Sequence, residues 1–409
     1  MHASSSNAPA LLSPHVSRAP RWLVRLLALS AGATVANLYY NQPLLAAMAR
    51  DFAASERDTG AIPTLTQLGY GLAMLLLVPL GDRYERRGLI VRMTGATVVA
   101  LICVGAAPNL PTLAIASLFL GVASMVPQYL VPYAAGAAAP EERGRVVGTV
   151  MSGLLIGILL SRALSGFVGA RFGWRATYFA AALTMALLAI VLRAYLPPQP
   201  PEREISLREL YTSLSGLIRA QPSLRFHSLL GALSFACFSV FWSTLAFHLA
   251  APRLGYGSAV TGAFGVIGVV GAVAAPIVGR LADSRDSRVI SLLATACMLA
   301  SFAIFGAWGD SLVGLAIGVV LLDLGVQANQ INNQARVYAL APAMRNRLNT
   351  VYMSTYFAGG ALGSGLGTLA WSAAGWLGVS LAGGTVASAA LSLLAIRARG
   401  RPASPTAAA

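Results

Sequence analysis

Between two long apolar runs the chain reads Leu80-Gly81-Asp82-Arg83-Tyr84-Glu85-Arg86-Arg87. A related stretch, Leu281-Ala282-Asp283-Ser284-Arg285-Asp286-Ser287-Arg288, follows another apolar run half a chain later. A second pair of echoes keeps the same offset to within one residue. Arg145-Val146-Val147-Gly148-Thr149-Val150-Met151-Ser152 is answered by Arg347-Leu348-Asn349-Thr350-Val351-Tyr352-Met353-Ser354, and Gly157, Ser161 and Ser165 are answered by Gly359, Gly363 and Gly367. A set of positions repeated in register marks two related halves, an arrangement common among membrane carriers.

Composition says what the halves are made of. The chain has 409 residues, of which 56% are hydrophobic and only 11% charged, with a mean hydropathy of +0.69. Soluble domains carry about 25% charged residues, so too few charges are present here to build a water-facing surface. Apolar runs near the length of about 20 residues that a bilayer requires fall at 22–48, 60–81, 89–107, 111–138, 146–170, 175–196, 225–250, 258–281, 288–308, 311–338, 347–371 and 374–396. The expectation is an all-α membrane protein of twelve transmembrane helices in two pseudosymmetric six-helix bundles, 22–196 and 225–396. Residues 1–21 and 397–409 read as tails. The first run, from Trp22 to Ala49, is too long for a signal-peptide core and is expected to stay as a helix. In the 197–224 linker, Pro197, Pro198, Pro200 and Pro201 stop the sixth helix. Ser206 and Glu209 then stand at capping-box spacing. Leu207, Leu210, Tyr211, Leu214, Leu217 and Ile218 share one face of a short amphipathic helix expected at the membrane surface.

The formal charge of +15 raises the question of a nucleic-acid partner, and its distribution answers it. All 29 basic residues are Arg. If the N-terminus is cytoplasmic, all but six lie on that side. Arg50, Arg57, Arg171, Arg175 and Arg253 lie on the other, and Arg162 sits inside a span. This is the positive-inside bias of a polytopic protein, so no nucleic acid is needed, and both termini are expected in the cytoplasm of a bacterial inner membrane. Without lysine no P-loop can form and no Schiff base is available. Cys103, Cys237 and Cys297 read as small apolar residues. The histidines lack metal-ligand spacing, and neither a G-x-S-x-G nor an H-E-x-x-H motif occurs, so neither a cofactor, a metal nor an enzymatic activity is expected.

The loop after the second span resembles the signature of the major facilitator superfamily, roughly G-x-L-A-D-R-x-G-R-R. Leu80, Asp82, Arg83, Arg86 and Arg87 stand in that pattern with Gly81 at its alanine, whereas Val78 and Glu85 replace its glycines. The second copy keeps Gly279, Leu281, Ala282 and Asp283 and has Ser284 in place of Arg. The resemblance covers nearly the whole chain and implies two bundles that rock about a central cavity. It also implies cytoplasmic gating by Asp82, Arg83, Arg86, Arg87, Asp283 and Arg288, through charge-assisted bonds that break and re-form. Small residues every fourth position on the fifth span (Gly153, Gly157, Ser161, Ser165, Gly169) allow close helix approach. By analogy they form a sliding contact between halves, with static packing the other reading. The nearest branch by resemblance is the bacterial drug/proton antiporters, hence export by a monomer that exchanges protons for a small organic solute; uptake of a polar metabolite is the alternative.

The resemblance also implies that spans 1, 4, 7 and 10 line the cavity. Polar residues on them, which hydrocarbon does not tolerate unpartnered, are candidates for solute contact: Asn37, Tyr40 and Asn41; Gln128, Tyr129 and Tyr133; Trp242; and Gln327, Asn329 and Gln330. Gln67 and Tyr70 on the second span extend the set, and hydrogen bonding between helices is the alternative for each. Two charges lie deep in spans. A lone carboxylate is costly to hold ionised in hydrocarbon, which makes Asp323 the first candidate for a proton site, with His248 the second. For Arg162 three roles are open: contact with an anionic solute, pairing with Asp323 or another acid, or a place near a membrane edge.

Overall fold

A bilayer interior offers no water to backbone amides and carbonyls, so a chain crossing it must pair them within each span. The computed structural model describes residues 20–139, 141–200, 207–268, 287–341 and 344–399, and among them every regular element is helical. In the first half these are α1 (Arg21–Ala36), α2 (Leu45–Asp51), α3 (Glu56–Thr59), α4 (Ala61–Leu76), α5 (Arg86–Gly105), α6 (Leu110–Ala123), α7 (Pro127–Ala137), α8 (Arg143–Phe172) and α9 (Trp174–Tyr195). The linker holds α10 (Leu207–Ala220), and α11 (Pro222–Trp242), α12 (Leu245–Ala250), α13 (Ser258–Gly268), α14 (Ser287–Trp308), α15 (Leu312–Leu340) and α16 (Arg345–Arg399) follow.

Nine stretches among the described residues are long and apolar enough to cross a membrane. Two backbone features and one incompletely described span make this consistent with the expected twelve. The first span is interrupted after α1 and resumes through a 3-10 turn at Gln42–Leu44, with Pro43 inside it, into α2. The eighth is described only over α13. The last two run together as α16, but the helix breaks at Ala374 and Gly375, where φ of +57° at the glycine turns the chain. Asp283 lies outside the described residues, and so does Ser206 of the expected capping pair. The linker helix is present: Leu214 and Leu217 are buried and Tyr211 donates to the Leu76 carbonyl at 2.6 Å. Ile218, expected on that same apolar face, is instead exposed.

The halves are closed up by backbone-to-backbone packing. A Cβ on Gly157 would run into the backbone of Gly32, so α1 and α8 touch without intervening side chains. The second half repeats the device, with Gly359, Gly363 and Gly367 of α16 set against the backbones of Ala232, Ala236 and Val240 on α11. The small-residue stripes therefore act mainly inside each half, not as the contact between halves that the resemblance implied. Gly166, off that stripe, meets Ser258 and Gly262 of α13 across the boundary, as Gly60 meets Thr368 of α16.

That crossing belongs to a seal at the Arg-poor end. There Ser239 Oγ of α11 donates to Gln67 Oε1 of α4 at 3.1 Å, and the Trp371 indole of α16 donates to the Glu56 carboxylate of α3. At the Arg-rich end the halves diverge around a cavity.

Overpacking costs about 1–3 kcal/mol, so Gly157→Ile is expected to lower the thermal midpoint of the detergent-purified protein clearly. Gly148→Ala, where an added methyl meets nothing within 4 Å, should leave it unchanged. Equal melting of both variants would contradict the packing described.

Candidate solute-binding cavity

The cavity has a volume of about 440 Å³ and is walled by α1, α4, α7, α8, α11, α15 and α16. Helical period selects its lining. On α15, Asp323, Gln327, Gln330 and Gln334 follow one another at steps of three and four residues and all face the cavity. On α16, Asn346, Asn349, Met353 and Tyr356 do the same, and on α11 Phe235 and Phe238.

Arg162 of α8 stands at the sealed end. Its side chain is almost wholly buried, at 1% exposure. Nε donates to Gln42 Oε1 at 2.5 Å and Nη1 to the Ile158 carbonyl at 3.2 Å, while Nη2 has no partner. The guanidinium carbon lies 4.2 Å from the ring centre of Trp242, 4.8 Å from Tyr39 and 5.2 Å from Phe238. Trp242 in turn donates its indole N–H to Asp323 Oδ1 at 3.3 Å. No ion pair within 4.0 Å joins Arg162 to an acid among the described residues. One aromatic ring thus holds the cation by its face and the carboxylate by its edge, as the quadrupole of an indole permits. Gly268 is held to hydrogen because a Cβ there would strike Asp323 Oδ2.

Along the walls, Gln128 Nε2 donates to Tyr70 at 2.9 Å, Tyr356 donates to Gln330 Oε1 at 3.2 Å, and Gln334 Nε2 donates to Tyr338 and Asn349 at 3.0 and 3.1 Å. The ring of Phe235 stacks on Tyr356 at 4.2 Å.

Of the residues expected in the lining, Tyr70, Gln128, Arg162, Asp323, Gln327 and Gln330 are there. The others lie on neighbouring faces, and most of them bond between or within helices. Asn37 Nδ2 donates to the Thr34 carbonyl and Asn41 Nδ2 to Thr66, each with its Oδ1 unpaired. Tyr40 is half-buried outside the cavity, Gln67 is part of the seal, and Tyr129 and Tyr133 donate to the carbonyls of Leu77 and Pro197. Trp242 acts from behind Arg162. Asn329, Asn332 and Asn333 project toward α11 and α14, where Asn329 Nδ2 donates to Ser234 Oγ at 2.7 Å and Asn332 Nδ2 to Ser291 Oγ at 2.8 Å. His227 Nδ1 bonds Asn333 Oδ1 at 2.8 Å. His248 is at the sealed end, bonded through Nε2 to the Gly309 carbonyl at 2.8 Å and stacked 3.9 Å over Trp376, away from the cavity. Sequence reasoning left Gln334, Tyr338, Asn346, Asn349, Tyr356, Phe235 and Phe238 out of the set. Extending the stripe begun by Asp323 by one more helical turn would have found Gln334.

At the Arg-rich end Asp82 and Arg86 approach to 3.9 Å beside the start of α16 at Asn346, Arg347 and Thr350. Arg87 donates to the Arg193 carbonyl at 2.7 Å, Arg83 lies over the Tyr84 ring, and Arg288 stands in the first turn of α14.

A family model described as Major Facilitator Superfamily matches residues 27–364. The chain belongs to the major facilitator superfamily. It is 42% identical over 365 residues to an uncharacterized transporter, YgaY, of Escherichia coli, covering 89% of this chain and 93% of that one. It is 33% identical over 370 residues to a protein of Streptomyces coelicolor named a probable transporter, covering 90% and 85%. Among solved structures it is similar in fold to a bacterial homologue of the human lysosomal transporter Spinster, with TM-score 0.72 at 14% identity over 94% of this chain and 98% of that one. The nucleoside transporter NupG is similar as well, with TM-score 0.73 at 12% identity over 93% and 100%. This superfamily member is a multi-pass membrane transporter.

Losing a buried hydrogen-bond partner costs about 1–3 kcal/mol. Asn329→Ala is therefore expected to lower thermal stability by about that much. Gln327→Ala, on the cavity wall, should change stability by less than ~0.5 kcal/mol. Melting curves that rank them the other way would refute the assignment of Asn329 to helix–helix bonding and of Gln327 to the open wall.

Proposed function

We propose that the protein is a proton-coupled secondary transporter that exports a small organic solute across the bacterial inner membrane by alternating access. The observation that carries this reading is that Arg162, Trp242 and Asp323 come together at the end of the cavity where the Gln67–Ser239 and Glu56–Trp371 bonds join the halves. Bundles 22–196 and 225–396 would rock as units, with 197–224 tying them together. Opening the other side requires the Gln67–Ser239 and Glu56–Trp371 bonds to break and the Gly166 crossing to part. The Arg bias supports a cytoplasmic location for both termini, so the cavity faces the cytoplasm and loads from it.

Asp323 is the proton site in this scheme, since it is the single acid on the wall among the described residues. Asp82 and Arg86, beside the start of α16, form with Arg83, Arg87, Asp283 and Arg288 the gate that closes the cytoplasmic side. The protein works as a monomer, each chain holding its own cavity.

In proteoliposomes, an imposed pH gradient is expected to drive solute flux by the wild-type protein. Asp323→Asn should reduce that flux to the level of empty vesicles while solute still stabilises the protein thermally. Unchanged pH-driven flux in the variant would remove Asp323 as the proton site, and no gradient-driven flux of any solute by the folded wild type would refute the transport reading.

A further inference from the structure

The cavity wall carries three charged side chains among the described residues: Arg162, Arg345 and Asp323. Two are cations, so the field inside favours a negative solute. Arg345 is exposed at the mouth and Arg162 is enclosed at the far end. Asp323 is turned to the Trp242 indole. The enclosed guanidinium is the unusual one. A buried cation normally lies against a carboxylate, yet Arg162 has none within 4.0 Å and keeps Nη2 without a partner. Neutral Gln42, the Ile158 carbonyl and three ring faces fix its orientation and leave that donor open.

What surrounds it is apolar and aromatic. Phe238 and Tyr39 flank the guanidinium, and Phe235 and Tyr356 form a stacked pair on the same wall. The amides of Gln327 and Gln330 lie further along, on the α15 stripe. From this arrangement, and resting on the transport reading above, we infer that the solute is an organic monoanion with a flat apolar body, its carboxylate held by Arg162 and its body against the aromatic wall. Such a solute suits export, because an inside-negative potential drives an anion outward.

The test uses the purified full-length protein and three probes of one shape: 2-naphthoate, its neutral amide 2-naphthamide, and the cationic 2-naphthylmethylamine. Binding is read by tryptophan quenching and by thermal shift. The carboxylate should bind at least ~10-fold more tightly than the amide or the amine, the difference a charge-assisted bond supplies. Arg162→Gln should erase that preference without weakening the amide, and Arg162→Lys should restore part of it. The comparison among probes in the wild type needs no variant, so it stands even if Arg162→Gln fails to fold. Equal binding of carboxylate and amide, tighter binding of the amine, or no saturable binding of the carboxylate overturns the assignment. The transport reading is judged separately by gradient-driven flux, which either result leaves intact.

Discussion

A guanidinium enclosed by aromatic rings, with no carboxylate against it, sets the arrangement at the centre of this protein. Arg162 belongs to the first half and Trp242 and Phe238 to the second. Their contact is thus both a wall of the cavity and a bond between the halves. Burying a cation in hydrocarbon is costly, and cation–π contacts recover part of that cost without the fixed geometry of an ion pair. Such a contact tolerates displacement, because a ring face accepts a cation over a range of positions.

Close backbone packing within each half surrounds this centre. Glycine-mediated contacts of α1 with α8 and of α11 with α16 make each bundle stiff. Between the bundles α4 packs along α16, with Tyr70 against the Phe357 ring at 4.3 Å and Gly60 against Thr368, beside single hydrogen bonds, the Gly166 crossing and the Arg162 box. Rocking about a central site requires halves that move as units, and here the α4–α16 packing is what would have to slide or part.

Much of the fold was legible in the sequence because hydrocarbon imposes simple rules. Spans appear as apolar runs, and the echo of Gly157 by Gly359 appears as matching backbone packing in the two halves. The single deep charges were legible for the same reason. What hydropathy could not resolve was which side of a polar helix looks into the cavity. Gln327 and Asn329 are two residues apart with similar chemistry, yet one lines the wall and the other ties α15 to α11. In a bundle both faces of such a helix meet protein, so polarity alone does not separate them; the spacing from Asp323 does. The surroundings of His248 were illegible for a related reason, since a histidine near a helix end can face a cavity or stack on tryptophan, and here it stacks on Trp376 away from the cavity.

The central claim is that Arg162 holds the two halves in the state sealed at the Arg-poor end. Electron-electron resonance between spin labels at Arg57→Cys and Ser372→Cys, exposed positions on opposite halves at that end, tests it most directly. The labels would be placed in a background with Cys103, Cys237 and Cys297 changed to Ser. The account predicts that adding Arg162→Gln raises the population at the longer label distance, as the seal loses its anchor. An identical distance distribution with and without Arg162 would contradict it.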